Sequence, residues 1–160
     1  KSVFEIPVPI IIMILVIVVS CFILYKTKCG RYIYAIGGNM QASYLSGINT
    51  KLMTIFVYAF AGLTASIAAI IMDARLNAAA PTAGENYELN AIAAVVIGGT
   101  SMAGGEGKIS GTIIGVLIIG VINNGMNLLN VSQGMQKVVL GCVMVIAVIM
   151  DMLRRRSEKK

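Results

Sequence analysis

The sequence predicts an all-α, polytopic membrane helix bundle of about five spans. Three observations predict it. Of 160 residues, 58% are hydrophobic and only 12% are charged, against about 45–50% apolar and about 25% charged in an ordinary soluble domain. The mean hydropathy is +0.86. The apolar residues also gather into long charge-free runs separated by short polar breaks.

The first run, residues 8–25, carries no charge and has Pro7 and Pro9 at its start, where a helix tolerates proline. At 1.5 Å per residue it covers about 27 Å, close to the hydrocarbon thickness of about 30 Å. After the polar break 26–51, residues 52–72 form a second run flanked by Lys51 and Asp73. Its small residues (Ala61, Gly62, Ala65, Ser66, Ala68, Ala69) predict a helix packed closely on others.

Residues 91–104 behave differently. The apolar part, Ala91–Ile97, is too short to span and runs into Gly98-Gly99-Thr100-Ser101 and Gly104-Gly105. That pattern predicts a half-helix with a broken end, and irregular backbone survives at membrane depth only where protein or a water-filled cavity covers it. Residues 109–126 form the next span, followed by the last span, 131–150. The most apolar part of that last span, Val138–Met150, covers about 20 Å and must borrow from Val131–Lys137. Gly107, Gly111 and Gly115, at spacing four, predict a close-packing ridge.

Charge orients these segments. The loop 26–51 carries Lys26, Lys28, Arg31 and Lys51 and no acid, and the tail 151–160 is also basic. The loop 73–90 holds Asp73, Glu85 and Glu88 against Arg75 alone. The positive-inside rule then makes 26–51 and 151–160 cytoplasmic and 73–90 external. An odd number of crossings must connect the external loop to the tail. Three crossings fit the distinct apolar runs; a re-entrant 91–104 with one further crossing and one interfacial helix also fits the count.

Several function classes are excluded. The net charge of +6 sits at the ends of apolar runs and not along one face, so it is no nucleic-acid footprint. No histidine is present, and Cys21, Cys29 and Cys142 lack any CxxC spacing, so no metal site, cofactor or His-dependent catalysis is expected. The stretch GGTSMAGGEGK fails as a phosphate loop, with Met102 where glycine is needed and Ile109 where Ser or Thr is needed. It fails as a dinucleotide loop at Ser110. The N-terminal run is not followed by a small-residue cleavage site, as a signal peptide would be.

Polar groups at membrane depth are the pathway candidates, because they are costly unless paired or wetted. Thr100 and Ser101 end the broken helix, where transporters tend to place substrate contacts. Asn123 and Asn124 lead a cluster with Asn127 and Asn130 that would line a pathway or cap a helix near the interface. Asp73, Arg75, Glu85 and Glu88 are solvated loop charges or a contact for an external partner.

Two stretches carry a resemblance. GRYIYAIGGNMQASYLSGI and PTAGENYELNAIAAVVIGGTSMAGGEGKISGTIIGVLIIGVINNGMNLL resemble the membrane permease of bacterial ABC importers for ribose and other simple sugars, from about Gly30 to Met152. The resemblance implies the C-terminal half of a permease about twice as long, in the inner membrane. It also implies a separate ATPase subunit, an external sugar-binding protein and a second permease copy. It places a short coupling helix in the cytoplasmic loop, on Gly37, Gly38, Asn39, Ala42, Ser46, Gly47 and Ile48, with Ser43 where a second alanine is usual. An ion-coupled transporter or channel with Gly98–Ser101 as its filter, a branched-chain amino acid permease and a purely structural subunit are the alternatives. The spans hold no acid or histidine to couple an ion.

Overall fold

A computed structural model describes residues 2–3, 6–76, 84–85 and 87–158. The fold is all-α, as the sequence predicts, apart from a two-residue antiparallel pair at the start, β1 (Ser2–Val3) with β2 (Ile6–Pro7). Seven helices follow among the described residues: α1 (Val8–Lys26), α2 (Lys28–Gly38), α3 (Met40–Leu45), α4 (Thr50–Leu76), α5 (Tyr87–Ile97), α6 (Ile109–Leu128) and α7 (Gln133–Glu158).

Three of them, α1, α4 and α6, are long and apolar enough to cross a membrane; the apolar stretches Tyr87–Ile97 and Gln133–Ile149 are shorter. α1 buries none of its residues, and Ile14, Leu15, Val18 and Phe22 are exposed along it. A helix apolar all round is stable only where apolar material surrounds it. Helical structure in the broken segment begins at Tyr87 and stops at Ile97, leaving 98–108 as loop. In the acidic loop, residues 77–83 and 86 lie outside the described residues, as do 159–160 of the tail.

The chain forms two compact units, Lys1–Glu85 and Asn86–Lys160. In the first, α2 packs on α1 and α4, and α3 packs on α2 and α4. The α1–α2 crossing is tight, since a Cβ on Gly30 would fall on the Leu24 carbonyl. Thr27 joins the two helices. Its hydroxyl donates to the Ile23 carbonyl at 2.6 Å, and the same oxygen accepts from the Gly30 amide at 3.4 Å. One side chain thus helps satisfy the end of α1 and the start of α2.

In the second unit, α5 packs on both α6 and α7. Its centre is Ala93, Ala94 and Ile119, with Ile97, Leu140 and Met144 against them. The core is small because the residues that meet are small, and helices in lipid associate by close van der Waals fit.

Three helices end in the same way. Gly47, Gly99 and Asn130 have φ of 82°, 82° and 52°. In each case two amides return to the last turn: Gly47 to Tyr44 (3.0 Å) and Ile48 to Ser43 (3.1 Å); Gly99 to Val96 (2.9 Å) and Thr100 to Val95 (3.1 Å); Asn130 to Asn127 (3.1 Å) and Val131 to Met126 (3.0 Å). These are Schellman turns, which satisfy carbonyls that the stopped helix would otherwise strand. At the opposite end of α3, Asn39 Oδ1 accepts from the Ala42 amide at 2.9 Å. Asn39→Ala is expected to cost about 1 kcal/mol of local stability. The check is hydrogen exchange at the Ala42 amide, whose protection should fall by about fivefold.

Candidate functional site

Two regions gather the residues singled out from the sequence, one in each unit. The first is the turn between α2 and α4. Gly37 and Gly38 close α2, Asn39 links it to α3, and Ser46, Gly47 and Ile48 form the turn after α3. Asn39 is extended, with φ −156° and ψ 103°. Its amide donates to Ala35 while its side chain caps α3, so the chain bends there with its backbone groups satisfied at both helix ends. Ala42, Ser46 and Gly47 are exposed and Ile48 is half-buried. A side chain at Gly47 would meet nothing within 4 Å. The constraint on Gly47 is therefore its left-handed backbone and not space.

Ser43 is buried at 5% exposure. Its hydroxyl donates to the Asn39 carbonyl at 2.9 Å, so the polar group is absorbed within α3 and the position packs like the alanine expected there. The face of α3 presented to solvent is Met40, Tyr44 and Leu45, at 55%, 68% and 80% exposure. On α2, burial pushes the Tyr34 phenol above its ordinary value, and neighbouring Tyr25 adds to the shift, so Tyr34 is neutral at physiological pH.

The second region is the end of α5, its loop and the start of α6. Gly115 lies against the Ala94 carbonyl, and Gly111 against the Gly98 carbonyl. Two small-xxx-small pairs, Ala94/Gly98 and Gly111/Gly115, therefore face each other across antiparallel helices. A Cβ on Gly98 would sit 2.5 Å from the Gly111 carbonyl carbon and 2.7 Å from the Thr112 nitrogen, distances no side chain tolerates. The ridge expected from Gly107, Gly111 and Gly115 is divided. Gly107 precedes α6 and packs against Thr100, whose Cγ2 and Oγ1 lie 2.8 and 2.9 Å from where a Cβ would be.

That contact folds the loop back on itself. The Ser101 amide donates to the Glu106 carbonyl at 3.0 Å, and Gly104 donates to the Ser101 carbonyl at 3.2 Å. Ser101 Oγ accepts from Ala103 at 3.1 Å, and Gly104 and Gly105 turn with φ of 87° and 78°. Ser101 is buried at 7% exposure. Thr100 and Ser101 also line an open groove of about 300 Å³ with Ala91, Ile92, Val95, Val96 and Met102. Its walls are apolar except at the Thr100–Ser101 end.

The asparagines separate by role. Asn130 supplies the left-handed residue ending α6, and Asn127 Oδ1 accepts from Gln136 Nε2 at 3.0 Å, tying α6 to the start of α7. Asn123 is half-buried and Asn124 exposed. Asp73 and Arg75 stand exposed at the end of α4; Glu85 and Glu88 are exposed as well. Among the described residues no cluster of three or more His, Cys, Asp or Glu side chains could hold a metal.

Sequence reasoning passed over two features of this region. Ala94 and Gly98 repeat the four-residue spacing of the ridge they meet, a signal that was present in the pattern. Asn90 was read as the last residue of the external loop, yet it lies within α5 and its Oδ1 is buried with no hydrogen-bond partner among the described residues. The register that pairs 94 with 115 and 98 with 111 brings Asn90 level with Ile119.

Seven helices among the described residues, three of them long and apolar enough to cross a membrane, define a polytopic helical membrane protein. The comparisons narrow the class. The family profile described as "Branched-chain amino acid transport system / permease component" matches residues 1–148, and the chain belongs to that family. It is 55% identical over 152 residues to the ribose import permease protein RbsC of Bacillus subtilis (strain 168), covering 95% of this chain and 47% of that protein. It is 54% identical over 146 residues to RbsC of Escherichia coli (strain K12), covering 91% and 46%. It is 43% identical over 152 residues to the xylose transport system permease protein XylH of Haemophilus influenzae, covering 95% and 40%. The chain thus spans about half the length, or less, of these relatives. No solved structure matches it significantly.

Gly115→Val is expected to force α5 and α6 apart and cost about 1–3 kcal/mol. Gly120→Val, on the same helix where nothing lies within 4 Å, is expected to leave stability within about 0.5 kcal/mol. Melting curves of the detergent-solubilised permease compare the two, and equal melting temperatures would contradict the packing argument. Asn90→Leu removes an orphaned acceptor and is expected to raise stability by about 1 kcal/mol. Melting curves read the change, and an unchanged or lower melting temperature would contradict it.

Proposed function

We propose that this chain is the C-terminal half of the transmembrane permease of an ATP-binding-cassette importer, moving a simple, ribose-like sugar across the bacterial inner membrane. The observation that carries the reading is the 54–55% identity to two ribose import permeases over more than nine-tenths of the chain. Identity to xylose and D-allose permeases is lower, at 42–44%. All of these relatives are named for sugars, which favours a sugar over the branched-chain amino acid of the family description.

In this reading the chain is a transport subunit, and ATP is hydrolysed on a separate chain. The loop 26–51 is cytoplasmic. Gly37, Gly38, Asn39, Ala42, Ser46, Gly47 and Ile48 form the contact with the ATPase through α3 and its turn. Several features support this. The helix is short, capped at both ends and exposed on a largely apolar face. It also packs on α2 and α4, so movement imposed on it reaches a membrane-length helix. Coupling of this kind needs a two-state element biased from both ends, and a rigid, capped helix transmits displacement where a loose loop would absorb it.

Spans at 8–25, 52–72, 91–104, 109–126 and 131–150 place 73–90 outside and 151–160 inside. Asp73, Arg75, Glu85 and Glu88 then meet an external sugar-binding protein. Thr100 and Ser101, where the half-helix ends beside the groove, line the pathway with Asn123 and Asn124. Gly107, Gly111 and Gly115 hold the broken segment against α6. A second permease copy completes the pathway, and membrane lipid surrounds the remainder.

Gly47→Trp forces a bulky residue into a left-handed conformation costing about 1–2 kcal/mol. In the full permease this is expected to lower ATPase co-purification and sugar uptake by about tenfold at unchanged membrane levels. Undiminished association would remove α3 from the ATPase contact. Uptake into proteoliposomes should require ATP, and uptake driven by an ion gradient alone would favour the secondary-transporter reading.

A further inference from the structure

The coupling turn accounts for α3, but not for the charge on either side of it. Lys26, Lys28, Arg31 and Lys51 are all exposed, and no acid lies between Lys26 and Lys51. They come from three helices. Lys26 is the last residue of α1, Lys51 lies in the first turn of α4, and Lys28 and Arg31 belong to α2. α2 packs on both α1 and α4, and Lys26 and Lys51 stand at the ends of those two membrane-length apolar helices.

α2 is two-faced. Gly30 is buried and Cys29, Ile33, Tyr34 and Ile36 are half-buried, while Lys28, Arg31, Tyr32 and Ala35 are exposed. At 100° per residue the second set forms one stripe, two bases beside a tyrosine. Tyr25, just ahead on α1, is exposed as well. Bases and tyrosines together at the end of a membrane helix are the composition of a headgroup-level anchor. By contrast α3, Met40–Leu45, carries no charge, so the apolar docking face and the basic stripe are separate surfaces.

We infer that Lys26, Lys28, Arg31 and Lys51 bind the phosphate headgroups of anionic phospholipid in the leaflet facing α2. The occupant follows from charge complementarity and from depth. Lipid phosphates occupy the level at which membrane-crossing helices end, and the guanidinium of Arg31 suits a phosphate's paired oxygens. The inference requires only that α1 and α4 cross the bilayer, and it stands or falls independently of the sugar.

The test uses the full permease purified from membranes containing phosphatidylglycerol and phosphatidylcholine, with native mass spectrometry counting the lipids that remain bound. The unmodified protein should retain phosphatidylglycerol in preference, and high salt should weaken the preference. Lys28→Gln with Arg31→Gln should lower the preference by about tenfold, while Lys28→Arg with Arg31→Lys should keep most of it. Lys137→Gln, in the other unit, should change nothing. If the first pair of changes impairs folding, Lys26→Gln with Lys51→Gln makes the same measurement from the neighbouring helices. No preference in the unmodified protein, or the same preference after charge removal, would overturn the inference. Inorganic phosphate that displaced the lipid completely would assign the stripe to a free anion instead. Loss of ATPase binding in lipid-free detergent upon charge removal would assign it to an acidic protein surface. Either of these last results also overturns the lipid site.

Discussion

The close approach of α5 to α6 is the contact on which the second half of this structure depends. Gly98 and Gly111 meet backbone to backbone, and Gly115 meets the Ala94 carbonyl. No side chain intervenes, so the two helices gain dispersion contact along their backbones, where lipid offers no hydrophobic drive to bring them together. Everything near the loop follows from that distance. Thr100 can rest on Gly107 only because the helices beneath them touch, and Ser101 can then reach Glu106 to close the loop.

A half-helix that stops short has stranded carbonyls as its chief liability. Here the liability is met internally. Gly99 turns left-handed, and the Val95 and Val96 carbonyls accept from Thr100 and Gly99. The device recurs after α3 and α6, with Gly47 and Asn130 in the same backbone region. What differs is the setting. After α5 the turn opens beside a groove, after α3 it borders an exposed apolar helix face, and after α6 it leads directly into α7, with the Asn127–Gln136 hydrogen bond across it. One termination therefore occurs in three settings: beside a groove, beside an exposed helix face and within a simple hairpin.

Packing and function meet in how little of the chain is buried. Ala93, Ala94, Val96, Ile119, Met126 and Ala147 are the buried hydrophobic residues among those described, while Ile14, Leu15, Phe22, Leu117 and Val121 are more than half exposed. A surface of that kind is stable against lipid or against other apolar helices. It agrees with a chain that spans about half the length of its closely similar relatives. The polar atoms buried in this setting are informative for the same reason. Ser43 and Ser101 have local partners, while Asn90 Oδ1 has none among the described residues.

The sequence by itself determined the helical class, the long apolar helices and the break at Gly98-Gly99. Charge-free runs leave little but a helix once water is gone, and Ser46-Gly47, Gly98-Gly99 and Asn130 are residues that accept or favour a left-handed turn. Asn39 was legible with Gly37 and Gly38 as polar punctuation, although not as a residue serving two helix ends, and Thr27 lay unmarked in the polar break. Only the tertiary structure decided which glycines pair. Spacing of four marks a ridge but not its partner, so Gly98 was read as a break alone and Gly107 as part of the α6 ridge. Burial likewise separated Ser43 from its exposed neighbours and left Asn90 Oδ1 without a partner among the described residues. These are properties of contact between helices, and contact depends on register and distance, which a one-dimensional pattern does not contain.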